Sequence, residues 1–491
     1  MRSPHESSVG QIGFIQNNGL WTEEQQSAAD ELRERVEAEG IRRVRIAWCD
    51  QHGIARGKTL TTPDFLLALR NGQDFQTATL IMDTTNNVVV PLFSADGAYG
   101  VEELRGYPDA ILVPDPHTFR TLPWSPGTGW VLSDMYFQSG RPVPFCSRQL
   151  MKRSLATLGE RGFDYMAGLE VEFYITVLED KKLAPHEAGW PPDPPTVSTV
   201  AHGFQYLTEI RNDEIDPILT LLQDNLDALD LPLRSMEDEW GPGQTEFTFD
   251  PQTGLDPADS MLLFRTAVKQ ICRRAGLHAT FMTKPALPNF FSSGWHLHQS
   301  LVARDGSGNA FTERNGGGAV LSELGRQFVG GLLEHASATS VFATPTINGY
   351  KRFAPFSFAP DRASWAVENR GAMIRVLGGP GDESTHLENR VGEPCANPYL
   401  FMAAQIAAGL DGVDRKLDPG APDPEPYAAD RRLLPTGLDE AVAALDAEGQ
   451  VFRDAFGSPF VDFILSIKRF ELGRYRAHVT DWEQREYFEV Y

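Results

Sequence analysis

The sequence contains few cysteines and little positive charge, and each shortage narrows the class of protein. Only four of the 491 residues are cysteine, and no two of them form a C-x-x-C pair. Isolated thiols of this kind are typical of buried, reduced cysteines in a cytoplasmic protein. Lysine and arginine number 44 against 67 aspartates and glutamates, for a formal net charge of −23. The electrostatic field of this excess negative charge repels nucleic-acid phosphates and anionic membrane surfaces, so we expect neither as a partner.

Long apolar runs and phosphate-binding loops are also missing. No uncharged apolar stretch approaches the ~20 residues of a membrane-spanning helix, and the first residues lack the basic and apolar segments of a signal peptide. Residues 53–59, GIARGKT, are one residue short of the P-loop pattern and are not expected to lead from a strand into a helix. We interpret them as a turn. A nucleotide would therefore have to be held by metal ions and arginines.

The length of the chain predicts more than one domain, because it exceeds the size at which a single core stops growing. Residues 106–145 are rich in proline and glycine and are interpreted as the boundary or linker zone. A helix with Ser147 as its N-cap is predicted to follow. We expect an N-terminal helix and extension over residues 1–37, a first domain over 38–140 and a catalytic domain over 141–491.

Pairs of charged side chains occur at strand spacing in the predicted larger domain. In GLEVEFYI, Glu170 and Glu172 are two residues apart and would lie on the same face of a strand. Two carboxylates on a buried face are costly unless a cation lies between them. A polar outer face on an edge strand is the alternative, and for an isolated E-x-E pair it is the commoner one.

Further candidate ligands accompany this pair. They are Glu239 and Glu246 on either side of a Pro-Gly turn, His296 and His298 in strand-like text, and Glu388, which is followed by Arg390. Oxygen-rich ligation with few nitrogens and no thiolate favours Mg²⁺ or Mn²⁺ over zinc. Spacing alone does not show that these side chains meet.

Arginines are concentrated in apolar segments with a strand-like pattern further along the chain. Arg352, Arg370 and Arg375 fall in NGYKR and in SWAVENRGAMIRV. The planar guanidinium group suits bidentate contact with carboxylate or phosphoryl oxygens. Ion pairs with the surplus acidic residues are the alternative.

Seven motifs occur in the order in which they are found in glutamine synthetases. They are GLEVEFY, GPGQTE, SSGWHLHQSL, NGYKR, NR…IRV, LENR and ANPYL…AAGLDG. From about residue 38 onward the chain therefore resembles the glutamine synthetase superfamily. The resemblance implies an α+β fold, with an N-terminal β-grasp domain and a large catalytic domain that contains a curved antiparallel sheet. It also implies a homo-oligomer of two stacked hexameric rings, a dodecamer with active sites between subunits.

The same resemblance assigns roles to individual residues. It implies two or more divalent ions per subunit, Mg²⁺ or Mn²⁺, with one site beside glutamate and another beside the ATP phosphates. The expected ligands of the first site are Glu172, Glu239 and Glu246. The expected ligands of the second site are Glu170, His296 and Glu388. The other implied roles are glutamate binding by Arg352 and Arg390, phosphoryl stabilisation by Arg370, nucleotide binding by Arg375, His298 and Ser300, and a catalytic carboxylate, Asp50, that reaches a neighbouring subunit's site.

One departure from the family pattern bears on the substrate. Ammonia-using members have a glutamate immediately before Ala-Pro, and that glutamate helps to bind and deprotonate ammonium. In this sequence Phe358 precedes Ala359-Pro360, and Phe291 and Trp295 replace the residues usual around S-G-x-H. A phenyl ring neither takes a proton nor attracts a cation. The chain is thus most similar to the γ-glutamyl-amine ligases of the superfamily.

The expected activity is an ATP-dependent ligase that forms a γ-glutamyl amide from L-glutamate and an organic amine through γ-glutamyl phosphate. Phe358, Phe291 and Trp295 are expected to contact the amine, and they favour an apolar or aromatic amine similar to aniline or isopropylamine. The ligase would open a catabolic pathway for that amine. A polyamine such as putrescine remains an alternative, as does ammonia. A non-catalytic structural or regulatory relative is the alternative from another class, although all six expected metal ligands and Arg370 are present.

Overall fold

Two β-sheets organise the chain, one after the other along the sequence. The computed structural model describes residues 12–90, 93, 99–180, 182–314, 316, 318–428 and 430–491. The first sheet uses residues between 43 and 136, and the second uses residues between 163 and 392. Helices pack against both sheets, so the expected α+β class is confirmed.

The first sheet has six strands in the order β2-β1-β6-β4-β3, with β5 paired to β6. Its strands are β1 (Arg43–Cys49), β2 (Ala55–Thr61), β3 (Gln73–Gln76), β4 (Asp109–Pro114), β5 (Arg120–Thr121) and β6 (Thr128–Tyr136). The helices of this region are α1 (Phe14–Asn17), α2 (Glu23–Ala38) and α3 (Thr62–Asn71). β1 pairs antiparallel with β2 and parallel with β6. This central parallel pair, flanked by antiparallel strands, is consistent with the expected β-grasp domain.

Local sequence signals explain the start of α2 and the missed helix α3. Thr22 caps α2 in a capping box with Gln25, and the helix ends two residues before Gly40. α3 was not predicted, although it has Pro63 in its first turn and buries Phe65 and Leu69. The segment between β1 and residue 115 thus contains a helix in addition to short strands and loops.

Two further predictions for this region are corrected by the structure. The turn predicted over residues 53–59 is confined to residues 50–54, because Ala55 already begins β2. The zone 106–145 is not a linker, since it contains β4 and the central strand β6. Its prolines and glycines lie mostly in the connections between strands, where they do not interrupt the hydrogen-bonded ladder. The domain limits at 37 and 140 stay predictions.

The second sheet has eleven strands, and seven of them run in the order β15-β16-β17-β13-β7-β10-β9. Its strands are β7 (Phe163–Leu178), β8 (Val197–Thr199), β9 (Leu233–Asp238), β10 (Gln244–Phe249), β11 (Gln252–Thr253), β12 (Leu277–Thr280), β13 (Trp295–Ala303), β14 (Gly308–Asn309), β15 (Trp365–Val367), β16 (Ile374–Leu377) and β17 (His386–Gly392). Every pair is antiparallel except β15 with β16. The expected curved antiparallel sheet is thus confirmed.

Ten helices accompany the second sheet in the described part of the chain. They are α4 (Ser147–Glu160), α5 (Glu209–Asp227), α6 (Asp256–Arg274), α7 (Glu323–Glu334), α8 (Ala336–Ala343), α9 (Pro398–Asp414), α10 (Leu438–Glu448), α11 (Gln450–Phe456), α12 (Ser458–Ala477) and α13 (Asp481–Tyr487). The N-cap of α4 is Cys146, without a side-chain hydrogen bond, so the prediction of Ser147 as the cap is wrong. No helix among the described residues is both long and apolar enough to cross a membrane.

The central strand β7 separates the core from the polar face of the sheet. Val171 and Phe173 are fully buried, and the ring of Phe173 contacts that of Phe264 on α6 at a centroid distance of 5.6 Å. Glu170 and Glu172 alternate with these residues and so point to the other face. One face therefore forms the hydrophobic core with the helices, while the other carries ionisable groups.

A buried arginine joins the two sheets. Arg148 on α4 is 3% exposed and pairs with Asp115 and Asp134 of the first sheet region and with Asp259 on α6, at 2.8, 3.2 and 2.8 Å. Removing one member of such a buried network leaves uncompensated charge and typically costs about 3–5 kcal/mol. This network holds the two sheets in a fixed relation.

Candidate functional site

Pairing between strands places carboxylates of distant segments side by side on the polar face. Glu246 on β10 lies opposite Glu172 on β7 and opposite Glu237 on β9. Glu170 on β7 lies opposite His296 on β13. Directly opposed residues on neighbouring strands project to the same face about 5 Å apart. The ladder therefore builds a row of acidic groups across three strands, with a histidine at its side.

One predicted ligand group is found assembled. Glu170, His296 and Glu388 present ligand atoms that all lie within 4.8 Å of one another. Three strands supply them, since Glu388 stands on β17, which pairs with β13. The predicted grouping of these three side chains is therefore confirmed, whereas metal binding by them stays a prediction.

The second predicted group is divided between two sets of side chains that share Glu246. Glu172 and Glu246 come together with His296, and Glu239 and Glu246 come together with Glu237, within the same 4.8 Å. Glu237 was not predicted as a ligand, although it stands two residues before Glu239 in the segment that forms β9 and the following turn. Glu246 belongs to both sets and so occupies the centre of the cluster.

The carboxylates of this cluster raise one another's pKa. Burial raises the pKa of Glu239 to about 8, and the charges of Glu172 and Glu237 add to the effect. Burial and the charges of Glu170 and Glu172 raise the pKa of Glu246 to about 10. Several buried oxygen donors that disfavour one another's charge form the donor set that a hard divalent cation would satisfy. The residues present thus fit Mg²⁺ or Mn²⁺.

His296 is held between a carboxylate and an arginine. Its Nδ1 lies beside the carboxylate of Glu170, and its Nε2 lies 3.1 Å from Nη2 of Arg352. Because a guanidinium group can only donate, Nε2 is the acceptor in this contact when the imidazole is neutral. Although burial opposes it, the charges and hydrogen bonds of His296 and His298 hold the pKa of Glu170 well below its usual range.

Two buried arginines border the same cluster. Arg352 donates to the carbonyl oxygen of Arg390 at 2.8 Å, and burial lowers its pKa to about 10. Arg390 pairs with Glu388 and donates to the carbonyl oxygen of Phe358 at 3.3 Å. Gly294 provides the space for Arg352, since an added Cβ would meet its Nη2 at 2.4 Å. The structure thus brings both predicted glutamate-binding arginines to the carboxylate cluster.

A cavity of about 520 Å³ lies next to the cluster, and Glu170 and His298 form part of its wall. Its wall includes the predicted nucleotide-side residues His298 and Ser300, together with Arg234 and His386, which were not predicted. Nδ1 of His298 lies 3.0 Å from Nε2 of His386. Arg375 lies next to this region and bridges Glu388 and Glu368 at 3.1 and 2.6 Å.

A larger cavity, of about 700 Å³, lies elsewhere. It is lined by the turn after β1, by α6 and by residues of α8 and α12, and none of the clustered carboxylates faces it. The acidic groups, the buried arginines and the 520 Å³ cavity therefore mark the candidate active site.

Comparison with known proteins decides the family. A family profile described as glutamine synthetase, catalytic domain, matches residues 144–487. The chain belongs to the glutamine synthetase family. It is 44% identical to a gamma-glutamylanilide synthase of Acinetobacter sp over 98% of this chain and 99% of that protein. It is 29% identical to a glutamate–isopropylamine ligase of Pseudomonas sp, over 96% and 100%. A solved structure described as apo GmaS without ligand superposes with a TM-score of 0.77 at 27% identity, covering 94% of this chain and 99% of that one.

These relatives confirm the resemblance that the motifs indicated and the predicted class of reaction. The protein is an ATP-dependent glutamate–amine ligase of the glutamine synthetase family. Within this fold, the polar face of the second sheet is where the predicted ligands converge. The roles of individual residues stay predictions.

Two of the predicted site residues, Trp295 and Asp50, lie away from the cluster, and only for Trp295 does this contradict the prediction. Trp295 is 0% exposed and packs edge-on against Phe401 of α9 at 5.2 Å. It precedes His296 by one residue, so it faces the core when His296 faces the site, and the prediction that it contacts the amine is wrong. Asp50 has a fully buried carboxylate that accepts from the backbone of His52 and Ile54. Its Oδ2 accepts from Nε of Arg56 at 2.8 Å. The predicted contact of Asp50 with a neighbouring subunit's site stays a prediction.

The remaining predicted residues lie around the mouth of the site. Phe358 is 72% exposed and has a φ of 60°, in the left-handed region that is unfavourable for a bulky residue. Phe291 is about 39% exposed. Burial raises the pKa of Tyr206, and the exposed Arg370 is close enough for its charge to oppose that rise. All three side chains are available to a ligand.

Proposed function

We propose that this ligase joins the γ-carboxylate of L-glutamate to an arylamine of the aniline class. The flap over the cluster, residues 353–360, supports this most directly, because its sequence FAPFSFAP contains no ionisable side chain. The hydrogen bond from Arg390 to the carbonyl oxygen of Phe358 places the flap beside the carboxylate cluster.

The chemistry of the nucleophile explains why this flap suits an arylamine. Ammonium and alkylammonium ions must lose a proton before they attack an acyl group, and a carboxylate in the flap would help them to do so. An arylamine is already neutral at about pH 7 and needs no such group. The 44% identity to a gamma-glutamylanilide synthase supports the same conclusion.

The metal requirement is proposed from the donor set. We assign one divalent ion to Glu170, His296 and Glu388, and a second to Glu172, Glu239 and Glu246, with Glu237 beside it. When bound, Mg²⁺ or Mn²⁺ would neutralise charge as the γ-carboxylate approaches the terminal phosphoryl group of ATP. The raised pKa values of Glu239 and Glu246 support the assignment, because cations would relieve the repulsion that causes them.

The arginines are proposed to bind and orient the reactants. Arg352 and Arg390 would hold the carboxylates of glutamate, and the exposed Arg370 would stabilise the transferred phosphoryl group. Ser300 and His298 line the cavity assigned to the nucleotide, with Arg375 next to it. Attack of glutamate on ATP gives γ-glutamyl phosphate and ADP, and the neutral amine then displaces phosphate. The apolar flap would keep water from the acyl phosphate in between.

The assembly and setting of the enzyme also remain proposals. The family resemblance supports a homo-oligomer of two stacked hexameric rings, and light scattering on the purified protein would test this directly. The four free cysteines support a reducing, cytoplasmic location. A ligase that consumes an arylamine would open a catabolic route for that amine.

The proposal is tested by ATP-dependent phosphate release with purified enzyme, L-glutamate and Mg²⁺. Ammonium, putrescine, ethanolamine, isopropylamine and aniline are compared in parallel. We expect kcat/KM for aniline to exceed that for ammonium by at least about a hundredfold, and Glu246→Ala to abolish release with every amine. A higher kcat/KM for ammonium or putrescine than for aniline would refute the arylamine assignment.

A further inference from the structure

Four partly exposed aromatic side chains adjoin one another at the mouth of the site. Phe204, Tyr206, Trp240 and Phe291 are between 37% and 53% exposed, and we call them the aromatic collar. Trp240 lies 5.5 Å from Tyr206 and 6.3 Å from Phe291, and Phe291 lies 6.0 Å from Phe204, as measured between ring centroids. Large apolar surfaces are rarely left contiguous and open to solvent unless they bind something.

The collar is assembled from three separate segments. Phe204 and Tyr206 precede α5, Trp240 stands in the turn between β9 and β10, and Phe291 precedes β13. The backbone of Phe291 is fixed on both sides by Tyr174, whose hydroxyl group accepts from its N–H at 2.7 Å and donates to its carbonyl oxygen at 3.1 Å. The position of this ring is thus held by the body of the second sheet and does not depend on the collar itself.

Covalent and hydrogen-bonded links connect the collar to the acidic cluster. Trp240 follows Glu239 directly, and its backbone N–H donates to the Glu239 carboxylate at 3.1 Å. The backbone N–H of Leu207, next to Tyr206, donates to the carbonyl oxygen of Asp238, which precedes Glu239, at 3.3 Å. Gly294, three residues after Phe291, donates to the Glu172 carboxylate at 2.7 Å. The four rings therefore border the side of the site that contains Glu172 and Glu239.

The side chains of the collar offer π-faces and carry no charge of their own. None of its four side chains is acidic, and the Nζ of Lys284 lies 5.8 Å above the ring of Phe291. That ammonium group would repel the distal cation of a diamine. A flat, neutral aromatic ring, in contrast, gains edge-to-face or offset contacts with surrounding rings.

We infer that the aromatic collar binds the ring of the arylamine and determines the preference of the enzyme for aromatic over alkyl amines. This inference rests on the proposed function and assigns the specificity to Trp240 and Phe291, with Phe204 and Tyr206 completing the surface. The amino group would then point from the collar toward the carboxylate cluster, where the acyl phosphate forms.

The test compares aniline with isopropylamine in wild type, Trp240→Leu, Phe291→Leu and the double variant. Leucine retains apolar bulk but removes the π-system. We expect the ratio of kcat/KM for aniline to that for isopropylamine to fall about fivefold to tenfold in each single variant, through KM for aniline. Trp240→Phe, which keeps a ring, should recover most of the ratio. Trp190→Leu removes an exposed tryptophan outside the collar and should leave the ratio unchanged.

The activity of the wild-type enzyme with aniline tests the proposed function. The change of the aniline-to-isopropylamine ratio in the variants tests the collar inference. If wild type turns over aniline and the ratio stays at the wild-type value in the double variant, the collar inference is refuted while the arylamine assignment stands. An equal loss for both amines would likewise refute it, since a ring-specific contact changes the ratio. If wild type does not use aniline, both proposals are overturned. Thermal melts show whether each variant is folded, and if one leucine variant unfolds, the aniline-to-isopropylamine ratio of the other single leucine variant decides the question.

Discussion

Substitution of Glu246 by glutamine tests whether the acidic cluster is built for a cation. Glu246 is 8% exposed, and burial together with the charges of Glu170, Glu172 and Glu239 disfavours its ionised form. Glutamine has nearly the same shape but no charge. Glu246→Gln should therefore stabilise the metal-free protein while it removes a metal ligand.

The size of the effect follows from the pKa of this carboxyl group. Its ordinary value is 4.5, and in the folded protein it is raised to about 10. As the pH rises through 4.5, the unfolded chain releases this proton and the folded protein keeps it, so the folded state loses stability up to about pH 10. The loss is about 1.4 kcal/mol for each pH unit. From pH 4.5 to about pH 7 it amounts to about 3 kcal/mol, which glutamine does not incur.

The assay is thermal unfolding in EDTA and in excess Mg²⁺, at about pH 5 and about pH 7.5. Without metal, we expect Glu246→Gln to melt a few °C above wild type at the higher pH, and close to wild type at the lower pH. Mg²⁺ should raise the melting temperature of wild type and have a much smaller effect on the variant, because a bound ion favours the ionised cluster.

Asp115→Asn is a control variant in which the expected change in melting temperature has the opposite sign. Against the effect of burial, the charge of Arg148 lowers the pKa of Asp115 to about 2, so its ionised form stabilises the fold above the ordinary value of 3.8 and this contribution is lost as the pH falls toward 2. The asparagine variant should melt below wild type at about pH 7.5, with or without Mg²⁺. A lower melting temperature of metal-free Glu246→Gln at this pH would refute the reasoning, as would a gain of the same size at about pH 5.

Three further predictions concern activity. Phe358→Glu introduces a carboxylate into the flap and should raise kcat/KM for ammonium relative to aniline by at least about tenfold in the phosphate-release assay; an unchanged ratio would contradict the role given to the flap. Arg352→Lys removes a bidentate group that donates to a carbonyl oxygen and to an imidazole, and KM for glutamate should rise about 10- to 100-fold at saturating ATP. Gly294→Ala should lower kcat/KM for glutamate about tenfold, since the added Cβ displaces the same guanidinium group; wild-type kinetics in this variant would show that the arginine does not need its observed position.

Strand alternation made much of the site predictable. The pairs Glu170 with Glu172 and His296 with His298 are two residues apart, and both pairs point to the polar face because successive side chains of a strand alternate. The same rule would have placed Trp295 on the opposite face from His296, and would have included Glu237 with Glu239. Similarity to a family motif assigns a residue to the site, but only the alternation of side chains along the strand shows which residues of the motif face it.

Local chemistry also accounts for the burial of Asp50 and for the error over residues 106–145 in the first sheet region. Asp50 begins a four-residue turn, and an aspartate in that position commonly accepts from the backbone N–H groups that follow it. Its burial in the turn was therefore accessible from the sequence. The prediction of a linker over residues 106–145 is wrong because most of the prolines and glycines lie in turns. The apolar runs between those turns form β4 and β6.

By itself, the sequence determined the family, the reaction class, the faces of individual strands and the absence of a carboxylate in the flap, since these depend on residues that are close along the chain. Only the tertiary structure decided which strands are neighbours. Glu170 and His296 are 126 residues apart and meet because β7 pairs with β13. The raised pKa of Glu246 and the convergence of four aromatic rings follow from the same long-range packing, because burial and charge interactions depend on distance in space and not on position in the chain.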